Sequence, residues 1–112
     1  MFPLSLRAQE LGLSVGSRAP SAVVQSLDGK PVELASYVGK TPVLIEFWAT
    51  WCPNCKELEP AMVAAQKKYG AHVKFVGVAV SVNQSPELVR RYATKHALPL
   101  EILFDRTGAA TD

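Results

Sequence analysis

The chain has 112 residues, of which 48% are apolar, and a formal net charge of +2 at pH 7. That length supports one domain with one hydrophobic core and excludes two. Basic residues never form a run longer than two, which argues against a nucleic-acid surface, and no apolar stretch reaches the roughly 18 residues that a membrane span requires.

Residues 1–15 show no sustained periodicity, and we expect an arm that leads into a single domain over residues 16–112. The first residues lack the charged start, apolar stretch and cleavage site of a secretory signal. Either the protein is cytosolic or a signal or anchor is absent from this chain. In SAVVQSLDGKPVELA (residues 21–35), two short apolar segments flank Asp28-Gly29. This dipeptide favours a tight turn, so the stretch predicts a β-hairpin, and ASYVGK (residues 35–40) predicts a helical turn after it.

A strand is predicted over residues 43–48, which are apolar except for Glu46. Such a run is typical of a parallel strand covered on both faces, and we expect it to be the central strand. An unpaired carboxylate there is costly to bury in its ionised form, so the pKa of Glu46 should rise toward neutrality. We therefore predict that Glu46 moves the proton of the cysteine pair that follows it. The alternative is a less buried strand with Glu46 facing solvent.

The two cysteines of the chain, Cys52 and Cys55, follow this strand. They are too few for a disulfide framework, and a bridge closing a two-residue loop constrains the unfolded chain very little. Cys52 precedes a predicted helix start, where free N–H groups and the helix dipole stabilise a thiolate, so it is predicted to be the attacking nucleophile. Cys55 lies one turn further on the same face and is predicted to be the resolving thiol. Exchange through this redox-active disulfide needs no metal or organic cofactor.

Residues beside the cysteines are predicted to meet the substrate. Trp51 directly precedes the nucleophile in a turn and is expected to be an exposed docking surface for a polypeptide. Pro53 suits the first helical position, and Asn54 places a small polar side chain between the sulfurs. Thr50 completes this predicted substrate-binding set. Six other aromatic residues are expected to pack in the core, namely Trp48, Tyr37, Tyr69, Tyr92, Phe75 and Phe104.

The rest of the chain alternates between predicted helices and strands. The first helix is predicted to end at Gly70 and to kink at Pro60, with an apolar face of Leu58, Met62, Ala65 and Tyr69. A buried strand over residues 73–82 precedes a helix that begins at Ser85-Pro86-Glu87. The apolar side of that helix comprises Leu88, Val89, Tyr92, Ala93 and Ala97. A strand over residues 100–104 and a turn over residues 105–108 complete an α/β pattern with a largely parallel sheet.

Metal binding is a weaker use of the same cysteines. A tetrahedral zinc site needs four protein ligands, and only His72 and His96 remain, at the start of a strand and near the end of a helix. Each histidine is expected to be a surface or half-buried residue, with His96 near the carbonyl end of its helix. The alternative function is a metal-delivery or redox-responsive binding module.

The run EFWATWCPNCK, from Glu46 to Lys56, together with Pro60, resembles the thioredoxin superfamily. It joins an acid-bearing strand, a Trp-Cys-x-x-Cys helix start and a helix proline in one order. The preceding LDGKPVELASYVGK is similar to the TlpA-like branch of thiol-disulfide oxidoreductases, and the resemblance extends from about residue 15 to the end. It implies a thioredoxin-like fold with an N-terminal β-hairpin extension. It also implies an exposed attacking Cys52, a buried resolving Cys55 and Glu46 in the place of the family's buried acid.

The resemblance also implies a function. Members of the branch are typically exported or membrane-tethered, and many reduce cysteines in partner proteins, including apocytochromes. The chain is therefore expected to be an extracytoplasmic thiol-disulfide oxidoreductase that acts as a reductant. Its expected partners are protein thiols or disulfides, apocytochrome c among them, and an upstream membrane or soluble thiol reductant.

Three departures from the family pattern stand out. TlpA-like proteins often carry a glutamate three residues after the second cysteine, where this chain has Leu58 between Glu57 and Glu59. Thioredoxin pairs its buried acid with a lysine on the next strand, but residues 76–81 contain no basic residue. The family's C-terminal cis-proline loop, last two strands and last helix are also absent from this chain. We therefore expect an unprotected sheet edge, with reduced stability or a dimer that fills the gap.

Peroxiredoxins share the hairpin, strand and helix layout and provide a second enzymatic hypothesis. They place a threonine three residues before their peroxidatic cysteine. Ala49 occupies that position relative to Cys52, and Cys52 occupies it relative to Cys55. This departure disfavours the peroxiredoxin interpretation.

Overall fold

The computed structural model describes residues 12–111, so residues 1–11 of the predicted arm lie outside the described part of the chain. The described residues form a five-stranded mixed sheet, two α-helices and one 3-10 turn. In chain order the elements are β1 (Val23–Ser26), β2 (Pro31–Glu33), the 3-10 turn (Leu34–Tyr37), β3 (Val43–Trp48), α1 (Pro53–Tyr69), β4 (Lys74–Val80), α2 (Pro86–Lys95) and β5 (Glu101–Asp105). Across this part of the chain, neither helix is long and apolar enough to cross a membrane.

The predicted N-terminal hairpin is confirmed. β1 and β2 pair in antiparallel fashion, and Gly29 adopts a positive φ of 88° in the connecting turn. The turn is closed by the Ser26 N–H, which donates to the Lys30 carbonyl at 2.8 Å. β1 also pairs with β5 in antiparallel fashion, so the hairpin extends the sheet next to the last described strand.

The prediction that residues 43–48 form the central strand is wrong. The strand order is β2-β1-β5-β4-β3, with β3, β4 and β5 parallel, so β3 is an edge strand within the described residues. Leu44 and Phe47 are accordingly 37% and 46% exposed. The buried parallel strand is β4, whose residues from Phe75 to Ala79 are all buried. An apolar run reports that a strand is hydrophobic, but not how many neighbours it has.

Both helices cover the same face of the sheet. Two successive right-handed crossovers that step in one direction, from β3 to β4 and from β4 to β5, leave their helices on one side. The core on that side is built around the buried residues Trp48, Ala79, Val89 and Phe104. On the opposite face, the 3-10 turn contributes Leu34 to a second core with Val24, Val76, Val78 and Leu103. Strand alternation places Glu46 on the helix side, together with Trp48.

The predicted apolar face of α1 is partly wrong. Met62 is buried as predicted, but Leu58 and Tyr69 are 43% and 46% exposed. The face turned toward the sheet instead carries Cys55, Glu59, Met62 and Gln66, which recur at helical spacing and are buried or half-buried. Two polar residues, Glu59 and Gln66, therefore lie on the face that packs against the sheet, where the hydrophobic pattern predicted apolar residues. In α2, Val89 is buried as predicted, whereas Ala97 lies beyond the helix end with a positive φ of 47°.

Candidate active site

The two cysteines lie at the start of α1, shortly after the end of β3. Cys52 is the N-cap of α1, with an extended backbone, and Pro53 occupies the first turn. The Cys52 Sγ accepts a hydrogen bond from the Cys55 N–H at 3.2 Å. A sulfur in this position faces the unpaired N–H groups of the first turn and the positive end of the helix dipole, which stabilise a thiolate.

Cys52 and Cys55 form a disulfide, with their Cα atoms 5.3 Å apart. The spacing of one helical turn predicted that the two sulfurs come within bonding distance. Both cysteines are half-buried. The resemblance implied a buried Cys55, whereas the structure leaves this residue half-buried.

The turn before Cys52 is held by the loop between β4 and α2. The Trp51 indole N–H donates to the Val82 carbonyl at 2.7 Å, while 53% of the Trp51 side chain remains exposed. The Thr50 N–H donates to the Gln84 Oε1 at 2.9 Å, and the Gln84 amide in turn donates to the Val80 carbonyl. Asn83, with a positive φ of 55°, lets the loop reverse so that its two neighbours face the turn. Trp51 is thus exposed but fixed in orientation.

Glu46 and Cys55 share one narrow cavity beneath the disulfide. Its volume is about 10 Å³, and it is lined by Glu46, Trp48, Cys55, Glu59, Met62, Leu98, Pro99 and Leu100. β4 places Gly77 opposite Glu46 in the strand register. A Cβ on Gly77 would lie 2.9 Å from the Leu100 Cδ1 and 3.0 Å from the Trp48 Nε1, so glycine leaves room for the side chains that enclose the cavity.

The electrostatics of the cavity make Glu46 a weak acid. Burial raises the pKa of Glu46 above its ordinary value, and the charge of the nearby Glu59 carboxylate raises it further. The direction of this shift agrees with the sequence-based expectation, although the strand is at the edge and Glu46 is only half-buried. A weakly acidic carboxyl beside a thiol is suited to exchanging a proton with it.

Glu59 is a member of this site that sequence reasoning did not select. It lies four residues after Cys55, so both side chains project from the same face of α1. Its Oε2 accepts a hydrogen bond from the Tyr92 hydroxyl at 2.6 Å, and its Oε1 lies 3.1 Å from the His96 Nδ1. The i, i+4 spacing from Cys55 was the available signal. Tyr92 and His96 come from a different helix and were not predictable partners.

The structure brings the residues of the predicted site close to one another, but not the two histidines considered for metal binding. Cys52, Cys55 and Glu46 meet at the start of α1 and the cavity below it, and Thr50, Trp51, Pro53 and Asn54 surround Cys52 along the chain. His96 is half-buried at the C-cap of α2, as predicted, and its ring contacts Glu59, while His72 is exposed. Across residues 12–111, no group of three or more His, Cys, Asp or Glu side chains is arranged to hold a metal ion. The exposed position of Tyr69 contradicts its prediction as a packing residue.

Comparison with known proteins supports the resemblance seen in the sequence. The thioredoxin-like protein YneN of Bacillus subtilis (strain 168) is 36% identical over 105 residues, which cover 93% of this chain and 61% of YneN. The thiol-disulfide oxidoreductase ResA of the same organism is 34% identical over 103 residues, which cover 89% of this chain and 55% of ResA. The chain thus spans a little more than half the length of these two relatives.

A solved structure leads to the same fold. A secreted disulfide oxidoreductase of Mycobacterium tuberculosis, homologous to E. coli DsbE, superposes with a TM-score of 0.66 at 26% identity, covering 80% of this chain and 63% of that chain. The predicted α/β, thioredoxin-like fold is thereby confirmed. A model described as the AhpC/TSA family matches residues 15–112. On this match and the fold described above, the chain belongs to the AhpC/TSA family, within the thioredoxin superfamily.

Proposed function

We propose that this chain carries the catalytic centre of a thiol-disulfide oxidoreductase that reduces protein disulfides through Cys52 and Cys55. The observation that carries this proposal is the position of Cys52. It caps α1, its sulfur accepts a hydrogen bond from the Cys55 N–H, and it forms a disulfide with Cys55 in which the Cα atoms are 5.3 Å apart, within the usual range. The names of YneN, ResA and the Mycobacterium protein support the same chemistry.

In the reducing direction the reaction has two steps. The Cys52 thiolate attacks one sulfur of the substrate disulfide, forming a mixed disulfide and releasing the other substrate sulfur as a thiolate. Cys55 then transfers its proton to Glu46 and attacks the Cys52 sulfur, which breaks the mixed disulfide and releases the second substrate thiolate. The Cys52–Cys55 dithiol loses two electrons and the substrate disulfide gains them. Glu46 returns its proton to the released thiolate or to solvent.

The surface around Cys52 suits a polypeptide substrate. Trp51 presents an exposed indole held by the Val82 carbonyl, and Pro53 and Asn54 are exposed beside it. Aromatic residues that are fixed in place contribute strongly to protein recognition, because little side-chain entropy is lost on binding. We therefore assign Thr50, Trp51, Pro53 and Asn54 to substrate binding, with apocytochrome c as one proposed substrate.

The proposed setting is extracytoplasmic, with a membrane or soluble thiol reductant that regenerates the Cys52–Cys55 dithiol. Support comes from the Mycobacterium protein, which is a secreted disulfide oxidoreductase. An oxidised Cys52–Cys55 pair needs such a donor, because each turnover leaves the pair as a disulfide.

The reduction potential of the Cys52–Cys55 pair, measured in a glutathione buffer, tests the proposed direction. A reductant is expected to lie near the thioredoxin value of roughly −270 mV, whereas a value near roughly −120 mV would make the protein an oxidant. Insulin reduction in the presence of dithiothreitol tests the activity itself. Cys52→Ser should abolish it, whereas Glu57→Gln, on the exposed side of α1, should not change it.

Two other outcomes would replace the proposal. Stoichiometric zinc or copper after anaerobic purification, with no insulin reduction, would support a metal-delivery module. Peroxide consumption that depends on Cys52 would support the peroxidase hypothesis, although Ala49, which is 4% exposed, has no hydroxyl to offer there.

A further inference from the structure

The cavity beneath the disulfide contains two carboxyl groups, and only one of them has a role in the reaction described above. Glu46 enters from β3, and Glu59 enters from α1 next to Cys55. Both oxygens of Glu59 have partners on or directly after α2, namely the Tyr92 hydroxyl at 2.6 Å and Nδ1 of the C-cap residue His96 at 3.1 Å. The Glu59 side chain is 20% exposed, so these two contacts fix a half-buried carboxylate in the wall of the cavity.

Tyr92 and His96, the partners of Glu59, are themselves held in place by aromatic contacts. The Tyr92 ring stacks on the His96 ring with 3.9 Å between centroids, and it packs against Trp48 at 5.7 Å. Burial, the hydrogen bond to Glu59 and the charge of Glu59, in that order, raise the pKa of Tyr92 to about 12. The phenol therefore stays protonated at physiological pH and donates a hydrogen bond to the Glu59 carboxylate.

The Glu59 carboxylate is also the charged group that faces Glu46 across the cavity and, in addition to burial, raises its pKa. From α1, Glu46 faces Cys55 and Glu59, and from β4 it faces Gly77. The segment of residues 98–100 closes the cavity with apolar side chains. Tyr92 of α2 and the C-cap residue His96 contact this site through Glu59. Among the described residues that line the cavity, no lysine or arginine offsets the repulsion between the two carboxylates.

We propose that Glu59 is a positioning residue for the resolving step, and that its carboxylate, held by Tyr92 and His96, sets the strength of Glu46 as the base that deprotonates Cys55. This inference rests on the proposed thiol-disulfide exchange. A negative charge beside Glu46 makes the protonated form of Glu46 more favourable, so Glu46 competes better for the thiol proton. A base closer in strength to the thiolate accepts the proton with a smaller barrier.

The resolving step can be isolated by mixing the reduced protein with an aromatic disulfide whose thiolate is coloured. Attack by Cys52 releases one thiolate, and attack by Cys55 on the mixed disulfide releases the second. The rate of the second release, measured by stopped flow across pH, should rise to a plateau as Glu46 ionises. In Glu59→Gln, the midpoint of this rise should move to lower pH, and the plateau should fall by about threefold or more.

Glu57→Gln is the matched control, because Glu57 lies on the exposed side of the same helix, two residues away. It should leave both the midpoint and the plateau at wild-type values. A merely structural effect of Glu59→Gln would lower the plateau without moving the midpoint. An unchanged midpoint would therefore overturn the inference while leaving the proposed function intact. Loss of the first release in the wild-type protein would instead overturn the proposed function.

The role of α2 is tested by Tyr92→Phe, alone and combined with Glu59→Gln. If Tyr92 acts by holding Glu59, Tyr92→Phe should move the midpoint in the same direction as Glu59→Gln, and it should add nothing further in the double variant. Additive shifts would show that Tyr92 acts independently of Glu59 and would remove α2 from the proposal.

Discussion

At the scale of single residues, partial burial raises the affinity of Glu46 for a proton. Its carboxyl group lies half-buried beside Cys55 and Glu59, with no cation among the residues that line the cavity. Burial first, and the Glu59 charge second, make the ionised form of Glu46 less favourable than in the unfolded chain. Such a residue reduces stability at neutral pH and gains a proton affinity suited to thiol chemistry.

This shift predicts the pH dependence of stability. Because the pKa of Glu46 is raised on folding, the folded state binds the Glu46 proton more tightly than the unfolded chain does. The unfolding free energy therefore falls as the pH rises from the ordinary pKa of 4.5 through the raised pKa of the folded state. Glu46→Gln cannot ionise and should reduce this fall. Urea unfolding at about pH 5 and about pH 8 measures it. Glu57→Gln should retain the wild-type fall, and a Glu46→Gln variant with an unchanged fall would contradict the prediction.

At the scale of elements, the active site depends on an interaction between two segments that follow parallel strands. The turn after β3 carries Thr50 and Trp51, and the loop after β4 carries Val82 and Gln84. Because β3 and β4 are parallel neighbours, the segments that follow their carboxyl ends lie next to each other at the same end of the sheet. Two hydrogen bonds then connect the segments, from Thr50 to Gln84 and from Trp51 to Val82.

Removing the Gln84 side chain should loosen the turn that precedes Cys52. In Gln84→Ala the Thr50 N–H loses its acceptor, which should lower the unfolding free energy by about 1 kcal/mol. The rate of the first thiolate release, which reports attack by Cys52, should fall as well. Gln25→Ala is a suitable comparison, because Gln25 also accepts a backbone N–H, from Arg106, far from the cysteines in the sequence. Equal effects of the two variants on the attack rate would argue against a positioning role for Gln84.

At the scale of the whole molecule, β3 forms an edge of the sheet in the described part of the chain, and this edge is open to pairing with another strand. Within the described residues, β3 pairs on one side only, with β4. Its exposed residues include Leu44 and Phe47, on opposite faces of the strand. An apolar edge with unpaired backbone groups favours pairing with another strand.

We therefore expect this 112-residue chain to associate through β3. Sedimentation should reveal a concentration-dependent dimer, and Leu44→Lys should shift it toward monomer, since a charge on an edge strand opposes pairing. Val23→Lys is the control: Val23 is 46% exposed on β1, which already has a partner on each side. It should leave the dimer unchanged. A stable, protease-resistant monomer of the unmodified chain would contradict this prediction.

The features that could be predicted from residue type and spacing are local. The hairpin at Asp28-Gly29, the helix start at Cys52-Pro53 and the Ser85 cap all depend on residues within a few positions of one another. Backbone conformation and capping hydrogen bonds act over that range, so residue type and spacing are sufficient to predict them. The pairing of Cys52 with Cys55 belongs to the same class, because one helical turn separates them.

Only the tertiary structure decided which distant groups meet at the site. Glu59 contacts Tyr92 and His96, which are 33 and 37 positions away, and Thr50 contacts Gln84 across 34 positions. The edge position of β3 likewise depends on the order in which strands pair. Hydrophobic periodicity records which side of an element is apolar, but not which element covers it. The sequence therefore identified the two thiols and proposed Glu46, whereas the packing of α2 against α1 determined which side chains surround the Glu46 carboxyl group.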